Sequence, residues 1–532
     1  MTAPDVHAPD APAPASRAGL LQWSDVPLVL GLMALGMALR LRWYSGYGLG
    51  DDSILKGEIN SLITNHTVLA DNGSYRIMWW FPTVASCRFF GLTELGLLLP
   101  IMTAATLGIG LVYLIGKSLW GRAGAVIASL LLIVHPLDFT WSTMLASDFI
   151  ASFWFGLTIF CTLRATSHPE VEWRRRFWVL AAVGVWCSYH TKFSGILLLA
   201  PIGLIALTRW RSLDRSVWYF VATMAFLVPA TAFLWYGLTG DVLAPLHYEL
   251  FYQGLTGPQA VTHQMNAITF WLYPRWFFYP DQLGDLLHSV YPHLVVLFIA
   301  VGWLIGLRSS LEMFWWLLLI FLGMQFNMQR VEGVWITGFR NIRHGHVFVY
   351  PLVLLLAGYF TGLWRRLPRT TTVLLAVLLA VSFWQAIQLA TKTRVAFADR
   401  RDVCTFIGTL RPKLIFADFQ VRPTCELQRP PGMPNSQPWT WREPHPYDRA
   451  IQKQELMTVT NAYLVTGGAR EPYYGCLDCI LRADDVPRDR WKLLKEFPDP
   501  LGYPTPWRSE PVRLWESIPP PTPSPPPAPA AP

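Results

Sequence analysis

Charge is scarce in this chain. Only 15% of its 532 residues are Asp, Glu, Lys or Arg, whereas a soluble globular protein carries about a quarter. With a mean hydropathy of +0.31, that shortfall excludes an ordinary water-soluble fold. No Gly-rich phosphate loop and no dinucleotide fingerprint occurs, so no segment is built to hold a nucleotide. No nucleic-acid-binding motif accompanies the formal charge of +8. The basic residues fall in short loops between apolar runs instead, so nucleic acid is not an expected partner. Cysteine is sparse, at 7, and the C-x-x-C of Cys476 and Cys479 has no second pair at zinc spacing. No cleavable leader is evident. Residues 1–25 are rich in Ala, Pro and Asp and read as disordered, and the apolar stretch after them reads as a retained first helix.

What is abundant is apolar and aromatic. Hydrophobic residues make up 52% of the chain and aromatics 14%, with 26 Trp; Trp and Tyr favour the membrane–water interface. A helix needs about 20 residues to cross the hydrocarbon core. Spans are expected near 26–44, 95–116, 122–137, 146–164, 176–190, 194–209, 217–237, 287–307, 312–328, 346–364 and 371–390, about eleven in all. Lys117 and Arg122, then Arg174, Arg175 and Arg176, then Arg209, Arg211 and Arg215, and finally Arg365, Arg366 and Arg369 fall in alternate loops. Those loops are cytoplasmic by the positive-inside rule. The N-terminus is then cytoplasmic too, and segments 45–94, 238–286, 329–345 and everything after 390 lie outside. The expectation is a multi-pass protein of the cell membrane, an all-α polytopic bundle over 26–390, in contact with membrane lipids.

The outer segment 45–94 is too apolar for a free loop. Its Met78-Trp79-Trp80-Phe81-Pro82 stretch suggests short helices along the membrane surface. Segment 238–286 is similar, and its aromatics suit either an interfacial belt or a cover over a lipid entrance. From 391 to 518 charge and proline rise, and 413–417 and 461–466 read as strands, so a small extracytoplasmic α/β domain is expected. From Pro519 the chain is a Pro-rich, disordered tail. Cys404, Cys425, Cys476 and Cys479 fall in the outer domain and are disulfide candidates. Cys404–Cys425 with Cys476–Cys479 is one of three pairings, and a redox or zinc role for the C-x-x-C is the alternative. Cys87, Cys161 and Cys187 read as packing residues.

Ionisable side chains at a membrane boundary are costly and mark candidate chemistry. Asp51 and Asp52 follow the first span. Capping the next helix needs one carboxylate; the second asks for a further role, as base or metal ligand. Asp148 opens the fourth span on the same side, either as a helix cap or facing the acidic pair across a cavity. Lys192, in His190-Thr191-Lys192, breaks the inside-positive pattern. It either snorkels or meets a phosphate. Arg340, Arg343 and His344 precede the tenth span, and several cations there suit an anionic ligand. His135, Pro136 and Asp138 read as a turn.

The stretches 90–100 and 111–121, with Leu145-Ala-Ser-Asp148 and Tyr189-His-Thr-Lys192-Phe-Ser-Gly195, resemble C-type glycosyltransferases of the protein O-mannosyltransferase and aminoarabinose transferase branch. The order of parts is similar too: an acidic first outer loop, surface helices, many spans and a soluble outer domain. The resemblance is strongest over about 25–210. It departs where the family has Asp-Glu and this chain has Asp51-Asp52, and where Tyr75-Arg76 stands in the region of the family's His-Pro-Pro.

The resemblance implies a sugar donor on a polyprenyl phosphate and a lipid, glycan or protein acceptor. A phosphate leaving group needs cations for its growing charge, which Lys192, Arg340 and Arg343 suit, with His344 beside them. An acceptor hydroxyl or amine needs a base, and Asp51 is assigned that role with Asp52 in support. A divalent metal is an option, with Asp51 and Asp148 as possible ligands. Asp148 as a second nucleophile would make the reaction retaining rather than inverting. A secondary transporter would place polar groups at midplane and repeat its halves, neither of which is seen. A non-catalytic scaffold is the other alternative.

Overall fold

The computed structural model describes residues 22–46, 51–64, 75–245, 247, 311–325, 328–331, 334–337, 346–396, 398–411, 413–417, 425, 441–442, 449–466, 483–498 and 511–519, with the side chains at 51–54 outside that description. The expected span at 287–307 and nearly all of the aromatic segment 238–286 therefore lie outside the described residues, as do Arg340, Arg343, His344, Cys476 and Cys479.

Helix α1 (Val26–Arg42) is followed by α2 (Asp51–Thr64) and α3 (Ile77–Phe90). Helix α4 (Glu94–Ile133) is two spans joined end to end: Gly121 sits at φ 77° and ψ −170°, breaking the helix between them. Only glycine enters that region without a Cβ penalty. The expected spans 95–116 and 122–137 are these two limbs. The short α5 (Pro136–Trp141) leads into α6 (Ser147–Ser167) and α7 (Val171–Thr191), and a 3₁₀ turn (Phe193–Leu198) into α8 (Leu199–Thr208) and α9 (Val217–Thr239). Beyond the segment left undescribed come α10 (Leu311–Gln325), α11 (Val349–Arg366) and α12 (Pro368–Ala396). Among the described residues six helices are long and apolar enough to cross a membrane. The bundle core is built from α4, α6, α7 and α11, with Ile109, Phe155, Trp178 and Leu354 among its buried side chains. Helix α9 instead leaves Trp218, Phe226, Phe233 and Tyr236 exposed, as a lipid-facing span does.

Two polar ties close the end of the bundle where α1 begins. Asp25 pairs with Lys117 and accepts from the Tyr113 hydroxyl at 3.1 Å. Arg209 donates from Nε and Nη2 to the two carboxylate oxygens of Glu312, each at 2.6 Å. Such a fork fixes the angle between helices as well as their distance.

After α12 the chain forms α13 (Ala398–Ile407) and a sheet. Two strands, β1 (Met328–Val331) and β2 (Val334–Thr337), make a separate antiparallel hairpin. The five-stranded sheet has the order β4-β3-β5-β7-β6, with β3 Leu414–Phe416, β4 Trp441–Arg442, β5 Ala462–Thr466, β6 Trp491–Phe497 and β7 Val512–Ser517. The two strands read from the sequence are β3 and β5, which pair in parallel, and α14 (Arg449–Thr458) is the crossover element before β5. Apolar clusters lie on both faces of this sheet, so it holds its own core. Cys404 on α13 is bonded to Cys425, a bridge that belongs to one of the three pairings left open by the sequence. Cys87, Cys161 and Cys187 are buried thiols, as packing residues are.

Candidate active site

The site begins with a helical hairpin. Helices α6 and α7 have 21 residues each, about 31 Å at 1.5 Å per residue, long enough to cross the hydrocarbon core. A three-residue turn makes them antiparallel, so the start of α6 and the end of α7 meet at one end of the bundle. Asp148 and Lys192 occupy those two positions, and they form an ion pair. Their side chains are 4% and 15% exposed. The N-cap residue is Ala146, which makes no side-chain cap bond, and Asp148 in the first turn faces Lys192.

Lys192 is held by the turn that follows it. The Gly195 N–H donates to the Lys192 carbonyl at 2.8 Å. A Cβ at residue 195 would stand 2.3 Å from the Tyr189 nitrogen and 2.4 Å from the Ser188 carbonyl carbon. The turn therefore presses against the end of α7, and glycine is what lets it do so. Three residues ahead of it, at 192, the chain leaves helical geometry with φ −156° and ψ 134°. Beside it, His190 is buried with its ring 4.7 Å from that of Trp186 and 5.1 Å from that of Tyr189.

The acidic pair is carried to the same end. Asp51 opens α2, and Asp52 follows it; the helix buries Leu55 and Ile59 in one cluster with Leu145, Ala146, Phe149 and Ile150. Helix α2 and the start of α6 thus contribute to one apolar cluster. Arg76, just before α3, donates from Nη1 to the Ser147 hydroxyl at 3.2 Å, which adds a cation next to Asp148. The sequence marked Tyr75-Arg76 only as a departure from the family's His-Pro-Pro and gave Arg76 no role, because a single arginine between Tyr75 and Ile77 carries no spacing signal.

Beneath this mouth lies a buried polar chain that the sequence reading took for a turn. Arg40, near the end of α1, pairs with Asp138 on α5. The other oxygen of Asp138 meets His346 Nε2 at 2.9 Å, and His346 Nδ1 meets the Ser152 hydroxyl at 2.7 Å. Ser152 lies one helical turn after Asp148, on the same face of α6. Burial pushes the Asp138 carboxyl up, but the Arg40 guanidinium and His346 outweigh it and hold the group below the usual carboxylate range. The 346 position is in the basic stretch singled out from the sequence, yet its partners are 194 and 208 residues away.

Among the described residues no three His, Cys, Asp or Glu side chains converge as a metal shell.

Residues 77–235 match the family model described as dolichyl-phosphate-mannose-protein mannosyltransferase. Most of the chain is similar in fold to ArnT from Cupriavidus metallidurans. Against the structure bound to undecaprenyl phosphate the TM-score is 0.53 at 13% identity, covering 83% of this chain and 93% of that one. Against its apo state the TM-score is again 0.53, at 14% identity, covering 84% and 93%. No curated protein sequence matches the chain. The matched segment contains the whole α6–α7 hairpin, with Asp148 and Lys192, and Arg76 lies immediately before it.

Proposed function

We propose that this chain is an integral membrane glycosyltransferase that moves a sugar from a polyprenyl-phosphate donor to an acceptor at the extracytoplasmic face. The observation that carries the reading is the Asp148–Lys192 pair, with Arg76 beside it and α2, which Asp51 opens, sharing an apolar cluster with the start of α6. The fold shared with ArnT, whose structure holds undecaprenyl phosphate, agrees with a lipid-phosphate ligand.

In this reading the polyprenyl phosphate lies against Lys192 and Arg76. As the bond from the anomeric carbon to the phosphate oxygen breaks, the bonding electrons pass to that oxygen, and the cations stabilise the charge. Asp51 takes the proton from the acceptor hydroxyl or amine as its lone pair attacks the anomeric carbon. Asp52 supports Asp51 or orients the acceptor. Asp148 holds the Lys192 ammonium in place before the donor arrives, so the cation does not need to reorganise during reaction. One base and one displacement invert the anomeric centre. Arg340, Arg343 and His344 are proposed as further contacts to the phosphate. Asp51 and Asp148 as ligands of a divalent metal would be an addition to this scheme, testable by metal titration of the chelated enzyme.

Two features support an extracytoplasmic mouth. The arginines of the 174–176 and 209–215 loops lie at the opposite end of α6, α7 and α8 from Lys192, and that end is cytoplasmic by the positive-inside rule. A Cys404–Cys425 bridge suits an oxidising compartment, which supports a sheet on the same outer side as the acidic mouth. The test is transfer by the purified protein in lipid nanodiscs from defined polyprenyl-phosphate sugars, paired with mass spectrometry of surface glycans from cells with and without it. Unchanged glycans together with no transfer from any such donor would reject the reading.

A further inference from the structure

The contact between α1 and α5 has a register. Arg40 pairs with Asp138, and the Ser45 N–H donates to the Thr143 hydroxyl at 3.0 Å. Each pair joins residues 98 apart, so 40–45 and 138–143 run side by side in the same direction. Farther along the two segments, Leu55 and Ile59 of α2 belong to one apolar cluster with Phe149 and Ile150 of α6. The same register is fastened from below: His346 bridges Asp138 to Ser152, and its ring lies 3.6 Å from that of Phe149.

We propose that Arg40, Asp138, His346 and Ser152 form a positioning unit that sets the register of the segment leading to Asp51 against the segment leading to Asp148. None of the four is assigned a contact with substrate. The energetics favour this over a role in stability. Arg40 and Asp138 are 0% and 1% exposed, and two guanidinium nitrogens of Arg40, Nε and Nη1, have no hydrogen-bond partner among the described residues. A buried ion pair left partly unsatisfied is no more stabilising than well-packed apolar side chains. What apolar side chains do not supply is direction: a charge-assisted bond fixes which residue meets which, where Leu against Met would slide.

The activity arm of the test rests on the proposed transferase reading, and a distance arm does not. In Arg40→Met/Asp138→Leu the buried charges are removed together. The expected result is a melting temperature within a few degrees of wild type, kcat lowered at least tenfold and KM for the lipid donor within twofold. Spin labels introduced through unnatural amino acids at Asn60 on α2 and Leu95 on α4, both exposed, should give a narrow distance distribution in wild type and a broadened or displaced one in the double variant. A purely structural pair would instead return stability, turnover and distance together, and that outcome overturns the proposal. Should the double variant not fold, Thr143→Val removes the hydroxyl that receives Ser45 while keeping side-chain shape. It should lower kcat threefold or more at unchanged melting temperature and broaden the same distribution; a wild-type kcat and distribution would overturn the proposal. If wild type transfers no sugar at all, the transferase reading fails, and the label distances alone decide the positioning unit.

Discussion

Replacing Lys192 by Met separates the two jobs assigned to that ammonium. As counter-ion, Lys192 faces an Asp148 side chain that is 4% exposed, and is itself 15% exposed. Removing one partner of a fully buried pair costs roughly 3–5 kcal/mol. The residual exposure of Lys192 puts this pair at the low end, about 3 kcal/mol, and protonation of Asp148 sets a ceiling on the cost. At roughly 2–4 °C per kcal/mol for domains of 150–250 residues, the loss in melting temperature should be about 6–12 °C. As the cation opposite a leaving phosphate, Lys192 resembles a preorganised oxyanion donor, whose removal lowers kcat about 100- to 1,000-fold. The double variant Asp148→Asn/Lys192→Met has no orphaned carboxylate. It should regain most of the melting temperature and none of the turnover, and Lys192→Arg should keep measurable turnover. The assay is sugar transfer in nanodiscs from a polyprenyl-phosphate donor, with melting followed on the same samples. If Lys192→Met transfers sugar within about threefold of wild type, the ammonium is not stabilising the leaving group and the reasoning is wrong. If the double variant recovers turnover along with stability, Lys192 serves only to neutralise Asp148.

Three further outcomes follow from the geometry. Gly195→Ala places a Cβ 2.3 Å from the backbone of Tyr189, so the turn after Lys192 must move; turnover should fall at least tenfold while the outer sheet, probed by proteolysis, stays folded. Asp138 has its folded pKa below the unfolded carboxylate value of about 3.9, so its contribution is fully present above that value and is lost as pH falls through the lower folded one. Melting temperature plotted from pH 6 down to pH 3 should therefore drop more steeply for wild type than for Asp138→Asn, and parallel curves would refute the assignment. Cys404→Ser opens a loop with a sequence separation of 21 and should cost the outer sheet about 3 kcal/mol in the chain-entropy model, seen as faster protease nicking of the sheet with transfer little changed.

The sequence made the membrane class and the mouth legible for the same reason. Long apolar runs announce spans, and against them an Asp51, Asp148 or Lys192 at a span's edge stands out. The α6–α7 pairing could be anticipated as well, because two spans joined by a short loop return to the same side. The break in α4 was legible too, because Lys117 and Arg122 interrupt the apolar run on either side of Gly121, where the helix leaves its axis. Arg40, Asp138, His346 and Ser152, by contrast, were hidden. Each is ordinary where it stands: a cation near a helix end, an acid after His135-Pro136, a histidine after a basic stretch, a serine in a span. Their meaning lies in contacts across 98 to 208 residues, and no local period encodes those. The sheet shows the same division. Strands β3 and β5 were readable from their own residues, whereas their parallel pairing and the antiparallel addition of β7 and β6 depend on packing that two apolar pentapeptides do not specify.

The most direct test of the account is sugar transfer by Asp51→Asn beside wild type, reconstituted with a polyprenyl-phosphate sugar and its acceptor. Loss of a general base typically costs about 100- to 10,000-fold, so the variant should melt near the wild-type temperature, bind donor with similar affinity and turn over at least 100-fold more slowly. Turnover by Asp51→Asn equal to that of wild type would contradict the claim that the carboxylate at the start of α2 activates the acceptor.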